Sequence, residues 1–175
     1  MSAIGNVATD PAMLTLASQL LFREAHYIDS QLWDEWLALF TEDCEFWVPA
    51  WKAEHTPTAN PRTELSLIYY GERGGLEDRV WRVRSGKSVA STPMPRTHHV
   101  ISNILLDEGC SAGRLVVLSN STVHYYRTKN RITELLYGRY RHELVLQDGS
   151  WRIAKKKIVL LNDTLPDRKS TRLNS

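Results

Sequence analysis

Apolar residues recur at helical spacing near the start of the chain: Leu14, Ala17, Leu21, Ala25 and Ile28 form one stripe along a helix. Asp10-Pro11, just ahead of it, supplies a capping side chain and a proline for the first turn. Glu24 and His26 read as lying off the stripe. Ser30 reads as the cap of a shorter second helix carrying Leu32, Trp36, Leu39 and Phe40. Asp34 and Glu35 fall in its early turns, where the helix dipole favours acids. Thr41-Glu42-Asp43 breaks the pattern, and Cys44 to Ala50 reads as a strand closed by Pro49. After a polar loop, Asn60-Pro61 repeats the cap-and-proline signal and predicts a helix through Leu65, Ile68 and Tyr69. Gly71 and the Gly74-Gly75 pair interrupt it. Leu76, Val80 and Val83 then resume a short helical face that Gly86 can terminate.

The second half changes period. Thr97–Leu106, Arg114–Thr128, Glu134–Leu146 and Trp151–Leu161 are rich in Val, Ile, Leu, Thr and Tyr, the composition of strands. Gln147-Asp148-Gly149-Ser150 is a hairpin turn signal. Helices first and a consecutive antiparallel meander second predict an α+β domain. No Gly-rich strand-to-helix turn opens a parallel crossover, which excludes a Rossmann reading. Strands longer than the usual ~10 residues bend. A long sheet curved around the first helices resembles the cystatin-like, or nuclear-transport-factor-like, cone with an interior pocket.

Composition narrows the class. The chain has 175 residues, 42% hydrophobic and 24% charged, as an ordinary globular domain does. The sequence shows no run long enough to span a membrane and no signal-peptide pattern. Two cysteines, Cys44 and Cys110, make no disulfide framework and fit a reducing cytoplasm. The formal charge of +2 hints at an acidic partner, but residues 167–175 (Asp-Arg-Lys-Ser-Thr-Arg-Leu-Asn-Ser) resemble the translation of a common sequencing adapter. They read as a non-native tail on a single domain spanning residues 1–166. They carry three of the basic residues and one of the acidic ones. Without them the chain is neutral, and a nucleic-acid reading loses its support.

The candidate chemistry is sparse. His26, His55, His98, His99, His124 and His142 form no H-E-x-x-H, and the cysteines no C-x-x-C or C-x-H, so the spacing predicts no metal or cofactor site in this chain. His98 and His99 are adjacent on a strand and point to opposite faces. There is no G-x-S-x-G elbow and no phosphate loop. Acid–base catalysis in a cone pocket, as in a stand-alone lyase or isomerase, would draw on His26, Tyr27, Asp29, His98 or His99, and His124. The six tryptophans and the paired tyrosines Tyr69-Tyr70 and Tyr125-Tyr126 suit a core or a protein interface, where Trp, Tyr and Arg supply most anchors. Arg79, Arg82, Arg84 and Arg96 lie around Trp81, and Arg139 and Arg141 share one strand face. Lys155-Lys156-Lys157 reads as a solvated or edge strand.

The string Leu67 to Arg84, LIYYGERGGLEDRVWRVR, resembles the small (beta) subunits of aromatic-ring-hydroxylating dioxygenases. The resemblance runs over residues 10 to 166. It includes Phe22-Arg23-Glu24-Ala25, Trp33-Asp34-Glu35-Trp36, Phe46-Trp47-Val48-Pro49, Ser102-Asn103 and Leu160-Leu161-Asn162-Asp163. Ser91-Thr92-Pro93-Met94-Pro95-Arg96-Thr97 and Leu161-Asn162-Asp163-Thr164 look most like the anthranilate 1,2-dioxygenase branch, with benzoate and toluate dioxygenases next. The family's usual aromatic-rich C-terminal stretch, resembling Asp-Phe-Tyr-His, does not follow here.

That resemblance implies the cone fold and a cytoplasmic, non-catalytic subunit. The Rieske [2Fe-2S] cluster and mononuclear Fe(II) would sit in a partner large (alpha) subunit. It implies a ring of three large and three small subunits, electrons from a reductase, and neither nucleic-acid nor membrane partners. The expected subunit contacts are Arg73, Glu77, Asp78, Arg79, Trp81, Arg82 and Arg84, then Pro95, Arg96, Thr97 and His98. The alternative for the 76–80 stretch is a helix braced by its own ion pairs.

Overall fold

A computed structural model describes residues 10–85 and 93–162. The readings placed on Gly86, Ser91-Thr92, Asp163-Thr164 and the tail from residue 167 lie outside the described residues.

Helix α1 (Pro11–Asp29) opens where the cap signal places it, with the Asp10 carboxylate accepting from the Ala12 N–H at 2.8 Å. Its buried positions are Ala17, Leu20, Leu21, Glu24 and Ala25. Glu24 is therefore on the stripe, not off it. It lies three residues after Leu21 and four before Ile28, the centre of the buried face.

Ser30 does not cap α2 (Trp33–Ala38). It closes α1, its N–H bonding to the His26 carbonyl. Gln31 follows at φ +56°, with its N–H on Ile28 O and the Leu32 N–H on Tyr27 O. This is a Schellman stop, built on glutamine where glycine is usual. Phe40 leaves the second helix and begins a strand, with its ring edge-on to Trp36 at 5.2 Å.

The strands are β1 (Phe40–Pro49), the short β2 (Trp51–Ala53) and β3 (Thr56–Pro57), β4 (Ser66–Tyr70), β5 (Arg96–Leu106), β6 (Arg114–Arg127), β7 (Ile132–Gln147) and β8 (Ser150–Leu160). Helix α3 (Arg73–Arg84) lies between β4 and β5. The main sheet runs β4-β1-β8-β7-β6-β5. The meander β5 to β8 is antiparallel, as its pattern predicts. The β1–β8 pair is parallel, making the sheet mixed.

The helix expected through Leu65, Ile68 and Tyr69 is instead strand β4, which pairs antiparallel with β1 from Phe46↔Tyr70 to Pro49↔Ser66. The cap signal itself is real: Asn60 Oδ1 accepts from the Arg62 N–H, and Asn60 O from the Glu64 N–H. It drives a single turn. Leu-Ile-Tyr-Tyr then gains more from a pleated, half-buried edge than from helix.

Lys155–Lys157 is likewise not an edge. Strand β8 sits between β1 and β7, and Lys156 is 4% exposed. Bends come from named points. Asn103 at φ +53° lies in the β5 register shift between Ser102 and Leu105. At Gly138 in β7 any Cβ would collide with the Val159 carbonyl of β8. The Asp148-Gly149 turn has both residues at positive φ, as a two-residue hairpin turn requires.

The core joins residues from all three helices with the inward sheet face: Ala17, Leu20 and Leu21 on α1, Trp36 on α2, Leu76 and Val80 on α3, and Leu115, Val117, Leu144 and Ile153 on the sheet. The opposite sheet face carries no helix among the described residues. His98, Val100 and Leu105 of β5, Asn120 and His124 of β6, and Leu135, Tyr137 and Arg139 of β7 are exposed there. Among the described residues no helix is long and apolar enough to cross a membrane.

Candidate functional site

The space between the helices and the inward sheet face holds a cavity of about 310 Å³. Ile28, Asp29 and Gln31 reach it from the end of α1, and Trp33 and Trp36 from α2. Leu76, Arg79, Val80 and Val83 come from α3, and Met94, Pro95, Thr97 and His99 from β5 and the residues before it. Val123, Tyr125, Leu136, Tyr140, Lys156 and Ile158 are among the lining residues of the sheet.

The Schellman stop brings Asp29 over β5. Its carboxylate accepts three bonds: Thr97 Oγ1–H to Oδ1 at 2.8 Å, His99 N–H to Oδ2 at 2.8 Å, and His99 Nδ1–H to Oδ1 at 2.6 Å. Burial works against the charge. The bonds from His99 and Thr97 outweigh it and hold the carboxyl below its ordinary range. A carboxylate only accepts, so the bonded Nδ1 carries a proton, and the tautomer this bond selects has its lone pair on Nε2.

Of the acid–base candidates, the structure unites Asp29 and His99 on the cavity wall. It leaves His26 exposed on α1 and places His98 beside His124 on the open face, ring centroids 6.0 Å apart. Tyr27 packs against the core.

Behind the cavity lies a cluster that sequence reading missed. Glu24 Oε1 accepts from Lys156 Nζ at 2.6 Å, and Glu24 Oε2 faces His142 Nε2 at 3.2 Å. Burial opposes the Glu24 charge. The Lys156 ammonium overcomes it, with His142 assisting, and the carboxyl lies well below the ordinary range. The Lys156 ammonium also sits 4.5 Å from the centre of the Tyr140 ring. Burial lowers the His142 pKa. The neutral ring then donates from Nε2 to Glu24, and Nδ1, which has no hydrogen-bond partner, is left as an acceptor instead of a stranded donor. The available signal was position 24 at the centre of the helical stripe.

The expected contact residues divide. Arg79, Pro95 and Thr97 line the cavity. Arg73 is half-buried and bonds Glu77 at 2.9 Å one turn on, with Glu42 at 3.7 Å, so α3 does carry an internal ion pair. Arg84 grips Asp34 of α2 with two bonds, at 3.0 and 2.8 Å. Asp78, Arg82, Arg96 and His98 are exposed, and Trp81 is 59% exposed. The glycine pair in the 67–84 string has a steric purpose: a Cβ on Gly75 would enter the Tyr70 ring, so the start of α3 passes β4 only with glycine there.

An iron–sulfur or mononuclear iron centre does not fit the described residues. Burial pushes the Cys44 thiol up to about 11, and the Cys110 sulfur is bonded to the Val116 backbone. Among the described residues no three His, Cys, Asp or Glu side chains converge as a metal site.

Comparison with known proteins adds a family. Residues 23–167 match the family described as ring hydroxylating beta subunit. The chain is 37% identical over 154 residues to the benzoate 1,2-dioxygenase subunit beta of Acinetobacter baylyi, covering 88% of this chain and 89% of that one. It is equally 37% identical over 153 residues to the anthranilate 1,2-dioxygenase small subunit of the same organism, covering 85% and 89%. The crystal structure of the benzoate 1,2-dioxygenase beta subunit from Burkholderia mallei superposes with a TM-score of 0.71 at 31% identity, covering 93% of this chain and 95% of that one.

Proposed function

The chain belongs to the ring hydroxylating beta subunit family, and from that premise we propose that it acts as a non-catalytic scaffold that holds large oxygenase subunits in a symmetric ring. It is the small subunit of an aromatic-ring-hydroxylating dioxygenase, an oxidoreductase component whose partner is a large oxygenase subunit. Three of each subunit, an arrangement that closes by cyclic symmetry, is the proposed assembly. A reductase supplies electrons in the cytoplasm, and the cluster and iron belong to the large subunit.

The observation that supports the scaffold reading is the bare sheet face. Leu105 is 60% exposed, Leu135 45% and Tyr137 43%, on a face that no helix among the described residues covers. Exposed apolar residues gathered on one face mark an interaction surface. Contacts to the large subunit are proposed along α3 (Arg73, Glu77, Asp78, Arg79, Trp81, Arg82, Arg84) and at Pro95 to His98, with Trp81 as the anchor.

The holoenzyme's proposed substrate is a benzoate-type carboxylate. Anthranilate is the first choice from the Ser91–Thr97 and Leu161–Thr164 strings of the sequence, with benzoate or toluate next. Coexpression with anthranilate- and benzoate-type large subunits tests both levels. Restored ring hydroxylation with one of them supports the assignment. Turnover of an aromatic acid by this chain alone overturns the scaffold reading. Trp81→Ala is expected to reduce co-purification, and undiminished assembly removes Trp81 from the interface.

A further inference from the structure

We propose that the cavity beneath α1 and α3 binds a monocyclic aromatic acid, its ring against the apolar wall, its carboxylate on Arg79 and a ring hydroxyl or amino proton on His99 Nε2. The volume of about 310 Å³ is at the small end of ligand pockets, ~300–1,000 Å³. It has room for one substituted ring. Val48, Ile68, Val80, Val123 and Ile158 line it, with Phe46 and Trp36 among its rings. A hydrated or strongly polar ligand gains little from such walls.

The polar groups decide what enters. Asp29 spends its charge on three donors, and Lys156 spends its charge on Glu24. Neither is available to a ligand. His99 Nδ1 is committed to Asp29, and that bond fixes the ring with its other nitrogen open. Nothing else in the described structure bonds Nε2. Arg79 lines the cavity, is exposed, and has no carboxylate within ion-pair distance among the described residues. One uncommitted guanidinium, one uncommitted imidazole nitrogen and an apolar box together complement an aromatic anion bearing a proton donor.

The inference does not depend on the subunit assignment. A chain that assembles and supports hydroxylation while binding no aromatic acid overturns this inference alone.

The test titrates the full-length chain with salicylate, following heat and the ring signals of its histidines by NMR. Saturable one-to-one binding is expected, with the His99 ring signals moving and those of His98 and His124, on the open face, unmoved. Benzoate, lacking the hydroxyl, is expected to bind about tenfold more weakly, as are salicylate with Arg79→Gln and salicylate with His99→Leu, each having lost one hydrogen bond. Absence of saturation up to about 10 mM, or equal affinities in the parent and both variants, overturns the proposal. Should His99→Leu fail to fold, the unaltered chain decides. Movement confined to His99 supports the site, and movement at His98 or His124 instead rejects it.

Discussion

Two carboxylate–base groups tie α1 to the sheet. Glu24 meets Lys156 and His142 in a setting closed to water: Glu24 is 2% exposed and His142 fully buried. One turn further on, Asp29 meets His99 at the cavity wall, with side chains 19% and 14% exposed. The ingredients are nearly the same, a carboxylate and an imidazole, yet the fates differ. In the first, every charge is consumed inside the cluster, and the unbonded Nδ1 of His142 faces only protein. In the second, the acid is saturated and the imidazole, on the cavity wall, keeps one nitrogen unbonded among the described residues. A buried ionic cluster fixes how α1 seats, and a half-buried one leaves chemistry available.

Removing one partner tests the closed cluster most severely. Glu24→Ala leaves the Lys156 ammonium buried and uncompensated, and is expected to cost about 3–5 kcal/mol in urea unfolding. Replacing the pair together, Glu24→Leu with Lys156→Met, is expected to recover most of that loss, because the charge and its counter-charge leave together. If the double variant is no better than the single, the cluster is not acting as a pair.

The cavity-side group carries less. Asp29→Asn weakens the bonds from His99 and Thr97 and is expected to cost about 1–3 kcal/mol, read by the same unfolding curve. A loss as large as that of Glu24→Ala would erase the distinction between the two groups.

Acid separates them by pH window. The folded His142 pKa lies below its unfolded value near 6.5. As pH falls below about 6.5 the unfolded chain takes up a proton that the folded one refuses. Stability present above that pH is lost, by at most about 1.4 kcal/mol per pH unit for one proton. The lowered carboxyls of Glu24 and Asp29 act further down. Unfolded carboxylates protonate near pH 4, so their contribution, full above that range, is lost as pH falls through and below it. His142→Leu is expected to flatten the upper window and Asp29→Asn part of the lower one, measured as unfolding free energy from pH 7 to 3. An unchanged upper slope in His142→Leu would show that the ring takes up its proton equally in the folded and unfolded chains.

The smallest effect belongs to the surface. Breaking the exposed Arg84–Asp34 pair with Asp34→Asn is expected to shift the thermal midpoint barely, and less still in high salt.

What was legible in the sequence follows from range. The meander from Arg96 to Leu160, the Asp148-Gly149 turn and the opening of α1 rest on contacts between near neighbours, and local composition reports them. Strand β4 was misread because Asn60-Pro61 signals a helix start without its length, and the partner strand lies some 20 residues away. Lys156 was misread because a lysine between lysines carries no mark of its acid, which sits on α1, 132 positions earlier. Asp29 and His99 were both candidates, but only the Schellman stop at Gln31 shows why they meet. The subunit family was legible from the 67–84 string, whose glycines and Tyr70 now have a steric reason.

The parallel pairing of β1 with β8 also governs the order in which the molecule can be made. The first long strand has β4 on one side, but its other sheet neighbour, β8, comes after every other strand in the sequence. On the ribosome, β1 must wait until nearly all of the following hundred residues have emerged, with its inner edge unpaired meanwhile. Closing so long a loop is slow, and an unpaired edge invites association with other chains. The strand that completes the sheet also carries Lys156, so the buried charge of Glu24 finds its counterpart only once β8 has emerged.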